Sequence, residues 1–230
     1  MRKKEGRLLY ANVFILALAA LLYTLLGSKY AVPAMANYAG GPVYRTSSKD
    51  SVSLQCIISW DAAALPGILR VLKENDVRIT FAVSGVWAEE HPELLKTMQS
   101  EGHEIAVMGR EPDKDGDAGF VRADVLSSLD TVESLTGVRP VTYYCGSRNP
   151  SVSASAGKKL GVTTVLCTID LDCASADAEL VLKRLKGNAP AGSIIDIQPT
   201  QSLYEALPQI INYLKNIGSA IVPTYKMLYN

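Results

Sequence analysis

Two histidines, His91 and His103, are the only imidazoles in the 230-residue chain. A histidine–carboxylate metal site needs its donors converging on one ion. His103 leads into a predicted strand and His91 into a predicted helix, so this pair cannot assemble such a site. Carboxylates are better placed. Asp61 follows an apolar run in Ser59-Trp60-Asp61, and Asp170 and Asp172 follow another. An aspartate at such a place is the residue type for general-base work, yet with an ordinary pKa near ~4 it is too weak to activate water unaided. Asp113, Asp115 and Asp117, with Asp124 beyond, are faintly spaced like a calcium loop. Ala118 stands where that loop requires glycine and no glutamate closes it, so a solvated acidic loop is expected. Cys145 would need a nearby base to act as a nucleophile, and His103 is expected at the opposite end of its strand. Trp60, Tyr143 and Tyr144 offer aromatic faces of the kind on which sugar rings pack, or, equally, side chains that fill a core.

The elements that must position these residues alternate. Short apolar runs predict strands at Val52–Trp60, Arg78–Val83, Glu104–Met108, Val141–Cys145, Thr163–Ile169, Ser193–Ile197 and Ala220–Pro223. Amphipathic stretches between them predict helices at Leu65–Asn75, Pro92–Glu101, Arg122–Thr136, Ser151–Leu160, Ala176–Lys186 and Leu203–Asn216. Gly102, Gly137, Gly161, Gly187 and Gly218 sit where helix C-caps want glycine. This alternation means a parallel sheet covered by helices, either a barrel or an open doubly wound sheet. No GxGxxG or GxxxxGK[ST] follows a strand, so neither a dinucleotide site nor a phosphate loop is supported. In a barrel the site belongs at the C-terminal strand ends, which carry Trp60-Asp61, Met108-Gly109-Arg110, Cys145-Gly146, Asp170–Asp172 and Gln198.

Basic and acidic residues balance, 23 against 23, which argues against nucleic acid as a partner. The balance hides a basic tail, residues 1–7, with Arg2, Lys3, Lys4 and Arg7. An uncharged run from Leu8 to Leu26 follows, long enough at about 1.5 Å per residue to span a bilayer core. The expected organisation is a cytoplasmic tail (1–7), a transmembrane signal anchor (8–27), a linker (28–50) and one domain (51–230) outside the membrane. The alternative is secretion after signal cleavage near Ala36. Outside the membrane disulfides are possible, and Cys145 with Cys173 is the candidate bridge.

Over about residues 52–228 the chain resembles a polysaccharide deacetylase (NodB-homology) domain, the fourth carbohydrate esterase family. The resemblance is carried by RITFAVSGVWAEEHPELLKTMQSEGHEIAVM, by LTGVRP and by GSIIDIQPTQSLYEALPQIINYLKNIGSAIVPTYKML. It implies an α/β fold, a distorted (β/α)7-type barrel, and ancestral metal-dependent N-deacetylation of amino sugars. The family's motifs are degenerate here. In Ser59-Trp60-Asp61-Ala62-Ala63, Asp61 matches the general base and Ala62 stands at a metal-ligand position. Met108-Gly109-Arg110-Glu111-Pro112 replaces a segment that supplies two histidine ligands, and Thr142 stands for the arginine of the third motif. Asp170 and Asp172 survive near the fourth motif, and Gln198 replaces the histidine acid.

A bound zinc-type ion lowers the pKa of water to about 7, and an amide cannot pass a proton as histidine does. The expectation is therefore a pseudoenzyme with no metal cofactor, in which zinc or another divalent ion is absent. Asp61 is its one retained catalytic position, and Trp60, Tyr143, Tyr144, Asp170 and Asp172 are its candidate substrate-binding residues. Its expected partner is cell-wall glycan or an envelope protein, with the N-terminal helix in the membrane. The alternatives are an active amino-sugar deacetylase with a rearranged site and a structural component of an envelope assembly.

Overall fold

Val52, Leu54, Cys56 and Ile58 alternate with Ser53, Gln55 and Ile57 along β1 (Ser51–Ile58), and both sets are buried. Burial on both faces is the mark of a strand inside a parallel, helix-covered sheet. The computed structural model describes residues 40–59, 63–114 and 116–229 and shows that sheet. Its remaining strands are β2 (Thr80–Val83), β3 (Glu104–Val107), β4 (Thr142–Tyr144), β5 (Thr163–Val165), β6 (Ile169–Asp170), β7 (Ile194–Ile197) and β8 (Ala220–Ile221). The order is β5-β4-β3-β2-β1-β7-β6, all parallel, with β8 on the first residues of β1. The result is a curled, half-barrel sheet.

The helices on its convex face are α1 (Leu65–Glu74), α2 (Gly85–Glu90), α3 (Pro92–Ser100), α4 (Ala118–Thr136), α5 (Pro150–Leu160), α6 (Ala178–Leu185) and α7 (Gln201–Asn216). A last helix, α8 (Thr224–Tyr229), packs against β1. Leu65, Ile68 and Leu72 of α1 and Leu203, Leu207, Ile210 and Leu214 of α7 join Leu54, Cys56 and Ile58 in one apolar core. Gly137 and Gly161 close α4 and α5 in the left-handed conformation, as their spacing predicts. The short helix α2 is absent from the sequence expectation. Six residues show too little periodicity to reveal it; Ser84 starts it by accepting the Trp87 N–H at 3.0 Å.

The predicted strand Thr163–Ile169 is corrected to two. β5 pairs with β4, whereas β6 pairs with β7 on the opposite edge, so the sheet is split between them. Residues 43–46, at the end of the expected linker, lie in that split. Val43 bridges Val165, Arg45 bridges Ser193, and the Thr46 N–H donates to the Gly192 carbonyl at 2.9 Å. Gly192 has φ +84°, and a Cβ there would stand 2.4 Å from the Thr46 carbonyl oxygen, so only glycine admits this strap. The expected anchor lies outside the described residues; among those described, no helix is long and apolar enough to cross a membrane. All four cysteines are free, so Cys145 and Cys173 form no bridge here.

Candidate functional site

The inner face of the sheet is built in layers. At its floor the buried Glu104 carboxylate accepts from the hydroxyls of Thr80 and Thr142, both at 2.6 Å, and from the Tyr225 N–H at 3.0 Å. Burial still pushes its pKa up. Above it, Asp196 accepts from Gln55 Nε2 at 2.9 Å and is also hydrogen-bonded by Tyr144 and Cys167. It is 1% exposed, and burial raises its pKa to about 7. The top layer is apolar: Ile57, Ala82, Ala106 and Met108 cluster, with Tyr144 packed on them.

Trp60, Asp61 and Ala62 lie outside the described residues. Of the other predicted site residues, Tyr144 faces this interior. Tyr143 does not: it is fully buried in the helix-facing core, its hydroxyl 3.3 Å from Ser153 of α5. It packs in the core away from the inner face that Tyr144 lines. Neighbouring strand residues point to opposite faces, so only one of two adjacent tyrosines can face the mouth. Asp170 and Asp172 are together, on the β6 side. The Asp170 carboxylate accepts the Asp172 N–H at 2.8 Å and Gln198 Nε2 at 3.0 Å, while Gln198 Oε1 accepts the Cys173 N–H at 2.6 Å. Gln198 is thus a strut tying β7 to the loop after β6. Asp172 has φ +47° and binds the Ser175 hydroxyl and Arg184; the Ser175 hydrogen bond first, then Arg184, hold its pKa low.

The segment Met108–Pro112 leads into a cavity of about 470 Å³ beside α2, which its Arg110, Glu111 and Pro112 help to line. Its backbone is pinned group by group. Gly85 N–H donates to the Gly109 carbonyl at 3.0 Å and Val86 N–H to the Arg110 carbonyl at 3.5 Å. Arg110 N–H donates to the Asp124 carbonyl at 3.2 Å, and Glu111 N–H to Asp124 Oδ1 at 3.0 Å. Arg148 Nη2 closes the set by donating to the Glu111 carbonyl and to Asp124 Oδ2, both at 2.8 Å. Gly109 has φ +97°, and a Cβ on it would lie 2.1 Å from Asp124 Oδ2. The buried Asp124–Arg148 pair was not among the sequence candidates. The only sequence signal was an acidic residue on the buried side of α4.

At the positions where the resemblance implies metal ligands stand a thioether, Met108, a proline ring, Pro112, and a methyl group, Ala62. They do not fit a zinc-type donor set. Among the described residues no three His, Cys, Asp or Glu side chains are placed to share a metal ion. His103 lies at the other end of the sheet, its Nδ1 accepting the Ile79 N–H at 3.1 Å and its pKa lowered by burial to about 4.

The sequence profile of the polysaccharide deacetylase family matches residues 48–165. The chain belongs to this family. A Bacillus subtilis relative, the uncharacterized protein YlxY, is 25% identical over 187 residues, 78% of this chain and 58% of that protein. The peptidoglycan-N-acetylglucosamine deacetylase PgdA of Listeria monocytogenes is 25% identical over 169 residues, 70% of this chain and 35% of that enzyme. The chain therefore spans less than two thirds of these relatives. In fold it is similar to BA3943 of Bacillus anthracis, described as a CE4 family pseudoenzyme, with TM-score 0.75 and 23% identity over 81% of this chain and 68% of that one. A BA3943 mutant described as having restored enzymatic activity matches with TM-score 0.77. The family framework holds here around a top layer closed by Met108.

Proposed function

We propose that this polysaccharide-deacetylase-like protein is a metal-free pseudoenzyme that binds cell-wall glycan from the outer face of a membrane, held by an N-terminal anchor. The observation that carries this reading is Met108. It is 5% exposed and buried among Ile57, Ala82 and Ala106, where a family member needs imidazole beside a carboxylate. Gln198 supports it, since both ends of its amide are already bonded and an amide is no general acid. The basic tail and the run Leu8–Leu26 support the anchor.

The test uses the full-length chain in detergent. Metal analysis after exposure to zinc, cobalt and nickel should find no stoichiometric ion, N-acetylglucosamine oligomers should release no acetate, and peptidoglycan should retain the protein in a pull-down. Acetate release that disappears in Asp61→Asn would establish the active-enzyme alternative. Failure to bind peptidoglycan, with capture of a protein through the outer helices, would establish the structural alternative.

A further inference from the structure

Five of the eight exposed large apolar side chains among the described residues lie at the N-terminal ends of the strands: Val138, Val141, Ile217, Tyr225 and Tyr229. Four of them are contiguous. Val138, Val141 and Tyr225 line one groove of about 350 Å³ at the start of β3 and β4. The Thr163 N–H donates to the Val141 carbonyl at 2.9 Å, and the Thr163 hydroxyl meets the Tyr229 hydroxyl at 2.6 Å. Soluble surfaces scatter such side chains singly, and a shared patch marks a docking face. Tyrosines beside aliphatic residues suit the headgroup layer of a bilayer, where the ring is half apolar and the hydroxyl stays wet. The charge agrees. Lys158 and Lys159 end α5, Lys215 ends α7 and Lys226 lies on α8, all exposed and at that same end. Asp76 and Glu101, which share that end, are held by Arg78 and Lys73. In the loops after β3 and β6, at the opposite rim, Glu111, Asp113, Asp117 and Asp172 outnumber Arg110 and Lys114. An anionic surface therefore attracts the first end and repels the second.

The path of the chain leads to the same end. Val43 pairs in parallel with Val165 of β5, so the residues before it run back toward the N-terminal strand ends. There Val43 packs in the cluster that holds Met227 and Leu228 of α8. Only 13 residues separate Leu26, the end of the apolar run, from Gly40. Fully extended they span at most ~45 Å, about one domain diameter. We infer that this end of the domain docks on the anionic phospholipid surface of the membrane that holds the anchor, turning the mouth with Met108 and Tyr144 away from the lipid. The inference rests on the anchor in the reading above and assigns the orientation of the domain.

The full-length protein in lipid nanodiscs of phosphatidylcholine and phosphatidylglycerol, doped with a phospholipid that is photoreactive at its glycerol level, tests this. After illumination, mass spectrometry should find lipid adducts on the peptides holding residues 138–141 and 225–229, and none on residues 109–114 at the opposite rim. Lys158→Glu, Lys159→Glu and Lys226→Glu together, all on exposed side chains, should lower those adduct yields about tenfold, the scale of reversing a few charges beside anionic lipid. Discs of phosphatidylcholine alone should do likewise. Adducts spread evenly over both rims, or yields unmoved by the three substitutions, overturn the inference. So do protein–protein cross-links through the same peptides without lipid adducts, which would make this end an interface between copies. Protein that stays in the disc with no adduct on the domain overturns the docking and leaves the anchor intact. Protein that leaves the disc overturns the anchor and the docking with it.

Discussion

Arg148 Nη2 lies 2.8 Å from Asp124 Oδ2, with the two side chains 2% and 6% exposed, and this pair holds the backbone of residues 109–111, between the two positions where the family resemblance implies metal ligands. A buried pair contributes little over an apolar substitute, but breaking it strands a charge. Arg148→Met should therefore cost about 3–5 kcal/mol in urea denaturation. The near-neutral double variant Asp124→Asn, Arg148→Gln should recover a large part of that loss. In Asp124→Ala, which removes the acceptor of the Glu111 N–H and releases the Arg148 side chain that holds the Glu111 carbonyl, amide hydrogen exchange at Arg110 and Glu111 should accelerate while β1 stays protected. Unchanged exchange at those two amides would rule out the clamp.

Asp196 makes a pH prediction. Its pKa rises from 3.8 unfolded to about 7 folded, chiefly through burial. The protonated form is favoured in the folded state, so its contribution is complete below about pH 4 and lost as pH climbs through about 7. His103 works the opposite way: lowered from 6.5 to about 4, it costs stability as pH falls across that range. The difference between the chain and Asp196→Asn isolates the carboxyl. That difference should shift by on the order of 2–4 kcal/mol between about pH 4 and pH 8, with wild type relatively weaker at the alkaline end. A flat difference would show that Asp196 is not a buried acid.

Cys145 should be inert. Burial pushes its thiol up to about 12, and it is 3% exposed. Iodoacetamide at about pH 8 should leave it unmodified in the native protein, while all four cysteines label after unfolding. Mass spectrometry of the Cys145 peptide gives the answer; rapid native labelling would revive a nucleophilic role.

Metal binding should return when its donors do. Ala62→Asp, Met108→His and Pro112→His together rebuild the donor types the family resemblance implies, and the triple variant should retain about one zinc through gel filtration where the parent retains none. If neither retains zinc, the pinned segment 109–111 has moved the ligand positions out of reach.

The alternation of the fold was legible from apolar period and punctuation. β1 to β4, α1 and α3 to α7 fall within a few residues of their predicted bounds, because each buries a continuous stripe and several stop at a glycine. The break within Thr163–Ile169 was not legible, since an apolar run carries no mark of which partner strand each half joins. The strap at residues 43–46 was missed for a related reason: its sequence is that of a linker, and only the gap between β5 and β6 makes it a bridge. Tyr143 and Tyr144 show the same limit at one remove. Two adjacent tyrosines must point to opposite faces, but which one faces the lumen is a matter of register.

The residues of the site divide in the same way. Sequence alone determined which donors are missing, since Met108, Pro112 and Gln198 cannot become imidazoles in any fold. Their chemistry is local to the side chain. Tertiary structure alone decided what replaced them: Gln55 meets Asp196 across 141 positions, Arg148 meets Asp124 across 24, and Arg110 meets Glu89 across 21. Such pairings depend on sheet order and loop path, which long-range packing sets and local pattern does not record.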